Sequence, residues 1–527
     1  MLTDTVSHRV ESRGELNVVW CALFVVAFTA LPILAHINLP LVDLPNHIAR
    51  LYIAAMAPEN ALSEYYSYEI GLVPNSAVDL IWLGLGAPGD VTRFSNWVMA
   101  SYAVNLVGST MALARVIHGR WTRWSAAAGL LVFSAPFFWG FQNYVWSMPF
   151  TIYGIALWLG MERPDWRRYR FAVFLIYAAA VYLMHFFAFG FLAVAVFGRE
   201  VQLALASKGS VARRLIRLGV QMVPFVIPLV WLLVMLKSGP ESPAELLNGF
   251  GYIADRIAVF TSPAIAPNTQ SFPALNLLGA AVLALLAVFV WCLRKTDGPR
   301  LVLEDKARGV LIALVLLSLV APTWLNGVAF VQIRAPVLTC AVFIACTSWR
   351  GLSRGQLRGL VAIIAILICA RGIAFERFAY RYDAEVRDMR AATGTLSPGD
   401  RVLPIRAEVG ASDLRLSHLQ GLLVPQADVF VPTLFQGVHA ITLLPQWADH
   451  AHPALFAVDF RLLADDRHPT APYEFVQNWD KKFTHVLLLD KRQKALPASL
   501  GLNQVREVGR FSLYRVEPSF RQSMSGQ

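Results

Sequence analysis

Asp43, His47 and Arg50 fall in the stretch LPLVDLPNHIARLYIAAM, Leu39 to Met56, directly after the first long apolar segment of the chain. On a helix their spacing of i, i+4 and i+7 lines a carboxylate, an imidazole and a guanidinium along one face. Pro45 suits the first turn of such a helix, where its missing N–H costs nothing, and this puts Asp43 at or just before the cap. Leu51, Ile53, Ala54 and Ala55 are left to lie against lipid or protein. Two readings of the polar face stand side by side. In one, Asp43 caps a short interfacial helix and His47 is a membrane-interface side chain. In the other, Asp43 is an outward-facing catalytic carboxylate and His47 supports it.

The elements that must position this face are mostly apolar. The 527-residue chain is 56% hydrophobic and only 15% charged. Apolar runs recur from Val18 to about Ile373, and runs of about 20 residues match the hydrocarbon thickness of a bilayer. A water-soluble core needs no such series, so the chain is expected to be a polytopic α-helical membrane protein. From about Phe375 charges of both signs return, Pro and Gly punctuate, and no run of spanning length appears, which marks a C-terminal soluble domain over 375–527 after a transmembrane module over 1–374. The segment before Val18 lacks a cleavage pattern and reads as part of a retained signal anchor. All five cysteines lie in apolar segments, which suggests neither a disulfide framework nor a thiolate metal cluster. The net charge of +11 is spread between the apolar runs and not gathered in one patch, so it points to membrane loops and away from nucleic acid.

Those loops set the topology. Basic clusters occur around Arg115 to Arg123, Arg163 to Arg170, Arg199 to Arg217, Arg294 to Arg308 and Arg350 to Arg358. If all are cytoplasmic, as basic short loops tend to be, Ala126 to Met161, Phe171 to Leu205 and Val310 to Phe343 must each be a hairpin, turning near Gln142 and Asn143, near Met184 and His185, and around Pro322 to Asn326. About eleven spans result. They are Val18 to His36, Phe94 to Ile117, Ser125 to Phe141, Val145 to Met161, Phe171 to Leu183, Phe186 to Ala206, Leu218 to Leu236, Ala274 to Leu293, Val310 to Val320, Gly327 to Trp349 and Leu357 to Ile373. The N-terminus then lies inside, while the soluble domain and the long loops 37–93 and 237–273 lie outside. In the soluble domain a helix from Arg381 to Thr393, a turn at Ser397 to Asp400, and strands at Arg401 to Ile405, His485 to Leu489 and Arg510 to Val516 suggest a small α/β fold, with an irregular stretch from Val424 to Trp447.

This order of parts resembles the GT-C superfamily of integral-membrane glycosyltransferases, in particular members of protein-mannosyltransferase and aminoarabinose-transferase type. The residues that carry the resemblance are Asp43 within Asp43-Leu44-Pro45-Asn46-His47, near the start of the first external loop, and Pro74-Asn75-Ser76-Ala77-Val78-Asp79-Leu80 late in that loop. The resemblance implies transfer of a hexose or pentose, with inversion, from a polyprenyl-phosphate donor to a lipid, glycan or protein acceptor at the outer face of a bacterial inner membrane. It makes Asp43 the general base, since an acceptor hydroxyl attacking an anomeric carbon must lose its proton to a group within hydrogen-bond reach. Family members frequently carry paired acidic residues in this loop. This chain carries Asp43 alone, and a divalent metal, magnesium or manganese, stays open as cofactor.

A lipid-phosphate leaving group needs positive charge or strong donors at the same level. The candidates are His47, Arg50, His185 in an external turn among aromatics, and Arg334, placed a couple of turns inside a span. Asp79 and Glu69 are possible second carboxylates, though each also reads as a solvated loop residue and Asp79 as a helix cap. Asp449, His450 and His452 lie in a Pro-containing loop and read as a surface tract; His418, His439 and His468 complete the tail's histidines. Two other classes remain in view: a lipid-linked oligosaccharide polymerase or ligase, which would use arginines in an external loop, and a transporter. The latter needs paired ionisable residues or broken helices near the midplane, and apart from Arg334 none stands out.

Overall fold

The computed structural model describes residues 2–238, 249–266, 271–325, 328–406, 413–436, 441–451, 458–464, 473–490, 496 and 500–517. His439, His452 and His468, and part of the loop 237–273, lie outside the described residues. The chain forms two compact units, and their boundary does not divide it into a front and a back: one unit holds 1–35, 72–77 and 97–376, the other 36–71, 78–96 and 377–527. Most of the first loop thus belongs to the same unit as the tail.

The first unit is helical. Six described helices are long and apolar enough to cross a membrane, among them the apolar part of α1 (Leu2–Leu34) and a helix at Val91–His118, with others at Phe186–Ala206, Val211–Trp231, Pro273–Cys292 and Arg354–Ala392. The remaining expected spans are shorter helices, such as Arg170–Met184 and Arg308–Val320, or are broken. Ser125 to Phe141 is one of the broken ones. It is a 3₁₀ helix at Arg123–Leu131 followed by a four-residue helix at Ala135–Phe138, with Ser134 extended between them and Pro136 in the first turn of the second. Two short runs expose more backbone ends than one long helix, and in a membrane those ends must find donors inside the protein.

Arg371 is such a donor. It lies on the Arg354–Ala392 helix, 1% exposed, and its guanidinium donates to the carbonyls of Phe133, at the break, and of Ala264, at 3.3 and 3.4 Å for the latter. The sequence reading passed over this residue within the span Leu357 to Ile373. Elsewhere the helices are held by close backbone approach and by satisfied charge. A Cβ added at Gly198 would fall on the backbone oxygen of Gly309, and one added at Gly309 on that of Gly198, so Phe186–Ala206 and Arg308–Val320 cross where neither carries a side chain. Near this crossing Arg199 makes two bonds to Glu162, at 2.8 and 2.9 Å. Glu200, buried, accepts from Trp158 Nε1 at 3.0 Å and faces Arg170 at 3.4 Å.

The second unit pairs the loop with the tail. Its mixed sheet is built from β1 (Val402–Arg406), β2 (Val458–Asp459), β3 (His485–Leu488), β4 (Leu502–Val508) and β5 (Phe511–Val516), in the order β4-β5-β3-β1-β2. β1 runs parallel to both β2 and β3, whereas β5 runs antiparallel to β3 and β4. The five residues of β1 are all buried, as a strand covered on both faces requires. A separate two-stranded ladder joins Tyr66–Tyr68 of the loop to Ile441–Leu443 of the tail. Side chains extend that union. Tyr66 Oη donates to the Val431 carbonyl and Tyr52 Oη to Asp428, each at 2.7 Å, and Asn38 donates to Asp383 through its backbone N at 3.0 Å and its Nδ2 at 2.7 Å.

Substituting alanine at Gly309 forces the two helices apart at a point where backbone, which cannot rotate away, is the obstacle. Overpacking of this kind costs about 1–3 kcal/mol. Gly309→Ala is expected to lower the thermal unfolding midpoint of the detergent-solubilised protein, while alanine at Gly190, which has open space around it, leaves that midpoint unchanged.

Candidate functional site

α2 (Leu44–Ala54) begins just past Asp43, with Pro45 in its first turn. The Asp43 carbonyl accepts from Asn46 N at 3.1 Å and His47 N at 3.3 Å, but its side chain makes no capping bond, so the carboxylate is not spent on the helix end. Of the residues left to lie against lipid or protein, Leu51 and Ile53 are buried, and so are nine of the eleven α2 residues. Asn46, His47 and Arg50 are 3%, 5% and 2% exposed, whereas the Asp43 side chain stays 14% exposed.

Arg50 lies 2.9 Å from Asp79, with both side chains buried. Asp79 is therefore neither a solvated loop residue nor a bare helix cap; it sits in the first turn of α3 (Ala77–Gly84), and Tyr68 also hydrogen-bonds it. Burial pushes the Asp79 carboxyl above the usual carboxylate range, against the pull of the Arg50 guanidinium. The pair ties α2 to α3. Trp82 Nε1 adds a bond to the Leu51 carbonyl at 3.0 Å. Glu69 is exposed.

Asp43 and His47 have company that sequence spacing did not reveal. His418 of the tail points Nε2 at Asp43 Oδ1, 3.5 Å away. Its ring meets the edge of Phe435, with centroids 5.0 Å apart, and Phe435 in turn lies 6.2 Å from the ring of His47. Burial, with the Arg406 guanidinium adding to it, pushes the His418 imidazole down to about 3. The ring is neutral at any ordinary working pH. Asn46 is a further surprise: both ends of its carboxamide are buried with no hydrogen-bond partner among the described residues.

The remaining two candidates belong to the other unit. His185 is extended, at φ −170° and ψ 131°, between Arg170–Met184 and Phe186–Ala206, and its Nδ1 accepts from Phe187 N at 3.1 Å, so it caps the second helix. Arg334 is the first residue of the helix Arg334–Cys346 and not a couple of turns into a span. Its guanidinium lies over three rings, 4.4 Å from the Phe141 centroid, 4.9 Å from Phe187 and 5.5 Å from Tyr144. Tyr144 is the hinge of the group. Its Oη donates to the Arg334 carbonyl at 2.7 Å, and its ring meets His185 edge-on at 5.3 Å. Thus Asp43 and His47 come together with His418, Arg50 with Asp79, and His185 with Arg334. Among the described residues no three His, Cys, Asp or Glu side chains gather as a metal would require, so no step below is routed through a metal.

No protein-family model and no curated protein matches the chain. Solved structures do. ArnT from Cupriavidus metallidurans bound to undecaprenyl phosphate aligns over 97% of this chain and 99% of its own, with a TM-score of 0.52 at 14% identity. The same protein in the apo state aligns over 96% and 99%, with a TM-score of 0.53 at 12% identity. This chain has an ArnT-like fold. That likeness runs nearly end to end. The arabinofuranosyltransferase AftD from Mycobacteria also aligns, over 94% of this chain and 40% of its own, with a TM-score of 0.46 at 17% identity.

Two outcomes follow from the site's electrostatics. Removing one partner of a buried ion pair strands the other and costs about 3–5 kcal/mol, whereas replacing both by apolar groups is close to neutral. Arg50→Met and Asp79→Leu should each lower the unfolding midpoint strongly, and the double variant should recover much of the loss. The depressed pKa of His418 means that, between about 6.5 and 3, the unfolded chain binds a proton there that the folded chain refuses. Stability is therefore full above about pH 6.5 and falls as pH drops through this window. Melting curves of His418→Gln from pH 7 to 4 should show a shallower fall than wild type.

Proposed function

We propose that the protein is a membrane glycosyltransferase that moves a sugar from a polyprenyl-phosphate-linked donor to an acceptor hydroxyl of the cell envelope, with Asp43 as the general base. The observation that carries this reading is the exposure of one carboxylate among buried polar groups: Asp43 is reachable, while His418 beside it and His47 on the same helix are sealed. A base must touch its acceptor, and its neighbours need only hold it. The ArnT-like fold supports the choice of donor class, since ArnT has been seen bound to undecaprenyl phosphate.

In the reaction the acceptor oxygen attacks the anomeric carbon while Asp43 takes the hydroxyl proton. The bond from that carbon to the phosphate oxygen breaks, and polyprenyl phosphate leaves with the electron pair. One displacement inverts the anomeric centre. Arg50 and Asp79 are assigned to holding α2 in place, because each already neutralises the other. In the membrane unit the group assigned to an anionic lipid head is Arg334, whose guanidinium lies over aromatic faces. His185, tied to it through Tyr144, is its partner in this role. The Asn46 carboxamide, buried beside Asp43, offers a donor and an acceptor to a sugar or acceptor hydroxyl. The reaction is assigned to the outer face, a reading supported by the basic loops, which favour a cytoplasmic N-terminus and an external soluble domain.

Asp43→Asn keeps the size and loses the base. It should abolish transfer from a polyprenyl-phosphate sugar, read by mass spectrometry of envelope glycolipids and glycans, while the variant elutes and melts like wild type; an active Asp43→Asn protein removes the assignment. Arg334→Gln should raise KM for the donor by about tenfold or more, as expected for loss of a charge-assisted phosphate contact worth roughly 1.5–3 kcal/mol. Unlabelled undecaprenyl phosphate should compete less well against that variant.

A further inference from the structure

The base of a transfer reaction must be held in one orientation without losing its basicity, and the surroundings of Asp43 contain a group shaped for that task. Resting on the reading of Asp43 as the base, we propose that His418 is its positioning residue, a hydrogen-bond donor from the tail that aims the carboxylate at the acceptor. Three observations carry this.

The first is direct geometry. His418 Nε2 faces Asp43 Oδ1 at 3.5 Å, the outer edge of hydrogen-bond distance, and catalytic hydrogen bonds are often this long before substrate binds and tighten afterwards. A neutral ring carries hydrogen on one nitrogen only. The nitrogen facing a carboxylate oxygen must be that one, since two lone pairs would otherwise oppose each other.

The second is the way the backbone brings the ring there. His418 opens the short 3₁₀ turn Leu419–Leu422, and this turn presses directly on the start of α2. A Cβ added at Gly421 would sit 2.9 Å from both the carbonyl carbon and the oxygen of Pro45, and 3.2 Å from Asn46 N. Only a glycine permits that approach. Gln420 fixes the turn further, donating to the Ser417 carbonyl at 3.1 Å and to Thr433 at 2.7 Å. Phe435 closes the far side of the ring and leaves His418 little freedom to swing.

The third is charge. A cation bonded to Asp43 would hold the carboxylate ionised but weaken it as a base. A buried imidazole, kept neutral with Arg406 near by, donates a hydrogen bond without that penalty. His418 therefore takes no proton in the reaction. Its whole contribution is orientation.

The test separates reach from mere polarity. Glutamine places an amide Nε2 where the imidazole Nε2 lies, and asparagine stops one methylene short. Initial rates of transfer from a synthetic polyprenyl-phosphate sugar, with kcat and KM determined separately, are to be measured for His418→Gln, His418→Asn and Asp43→Asn alongside melting midpoints. His418→Asn is expected to lower kcat about 10- to 100-fold with KM for the donor little changed, while His418→Gln stays within about threefold of wild type. Equal activity of the two variants, or losses that follow their melting midpoints, overturns the positioning role. Should His418→Asn fail to fold, Gly421→Ala, which pushes the turn off α2, is expected to lower kcat in the same manner, and unchanged kcat there overturns the role as well. An active Asp43→Asn protein defeats the base assignment itself, whatever the His418 variants show; an inactive one with wild-type His418→Asn defeats only the present inference.

Discussion

The burial of α2 is the constraint on which the rest of its unit depends. An eleven-residue helix that carries an arginine, a histidine and an asparagine is ordinarily half in water, and here nine of its residues are covered. A guanidinium cannot be buried alone, because the cost of stripping its water is several kcal/mol unless a counter-charge and hydrogen bonds replace it. Asp79 supplies that charge, and Tyr68 and Trp82 lock α3 and the loop strand onto the same helix. What covers α2 from the other side is the tail, through the glycine contact at Pro45 and the ladder between Tyr66–Tyr68 and Ile441–Leu443. The loop and the tail are thus one folding problem, although more than three hundred residues separate them along the chain.

The membrane unit answers a different constraint. Its helices cannot rely on the hydrophobic effect to find one another in lipid, so contact is made by close backbone approach and by polar groups that have nowhere else to go. Gly198 and Gly309 show the first. Arg371 shows the second, since its guanidinium feeds the Phe133 carbonyl left open at a helix break, together with that of Ala264, and so lets an irregular run persist among spanning ones. Arg334 is handled otherwise. Its guanidinium lies over three aromatic faces, an arrangement that stabilises a cation.

What the sequence made legible was whatever depends on local period. The α2 helix, its proline start, the helix break at His185, and the strands at Val402–Arg406 and His485–Leu488 all follow from neighbours within a few positions. What it hid depends on partners far apart in the chain. His418 looked like one of several tail histidines because nothing within its own segment names Asp43 as its neighbour. Asp79 looked like a cap because its first-turn position explains it cheaply, and the Arg50 pairing that overrides this is visible only once α2 and α3 meet. Arg371 was open to detection, since an arginine inside an apolar run is expensive and must have an acceptor, but hydropathy averaged over a window conceals one charge. Ser125 to Phe141 failed for a related reason: composition gives the length of a span and is silent about whether its backbone stays helical.

The division of labour within the Asp43 cluster follows from the same energetics. Full burial raises the pKa of an unpaired carboxylate, and a nearby cation lowers it again. The α2 helix separates these demands. Its own cation, Arg50, is paired with Asp79, so the positive charge that burial obliges the helix to neutralise is met by a buried carboxylate of α3. Asp43 sits one residue ahead of the helix, partly exposed, beside an imidazole that burial keeps uncharged. A carboxylate so placed keeps its reach to solvent.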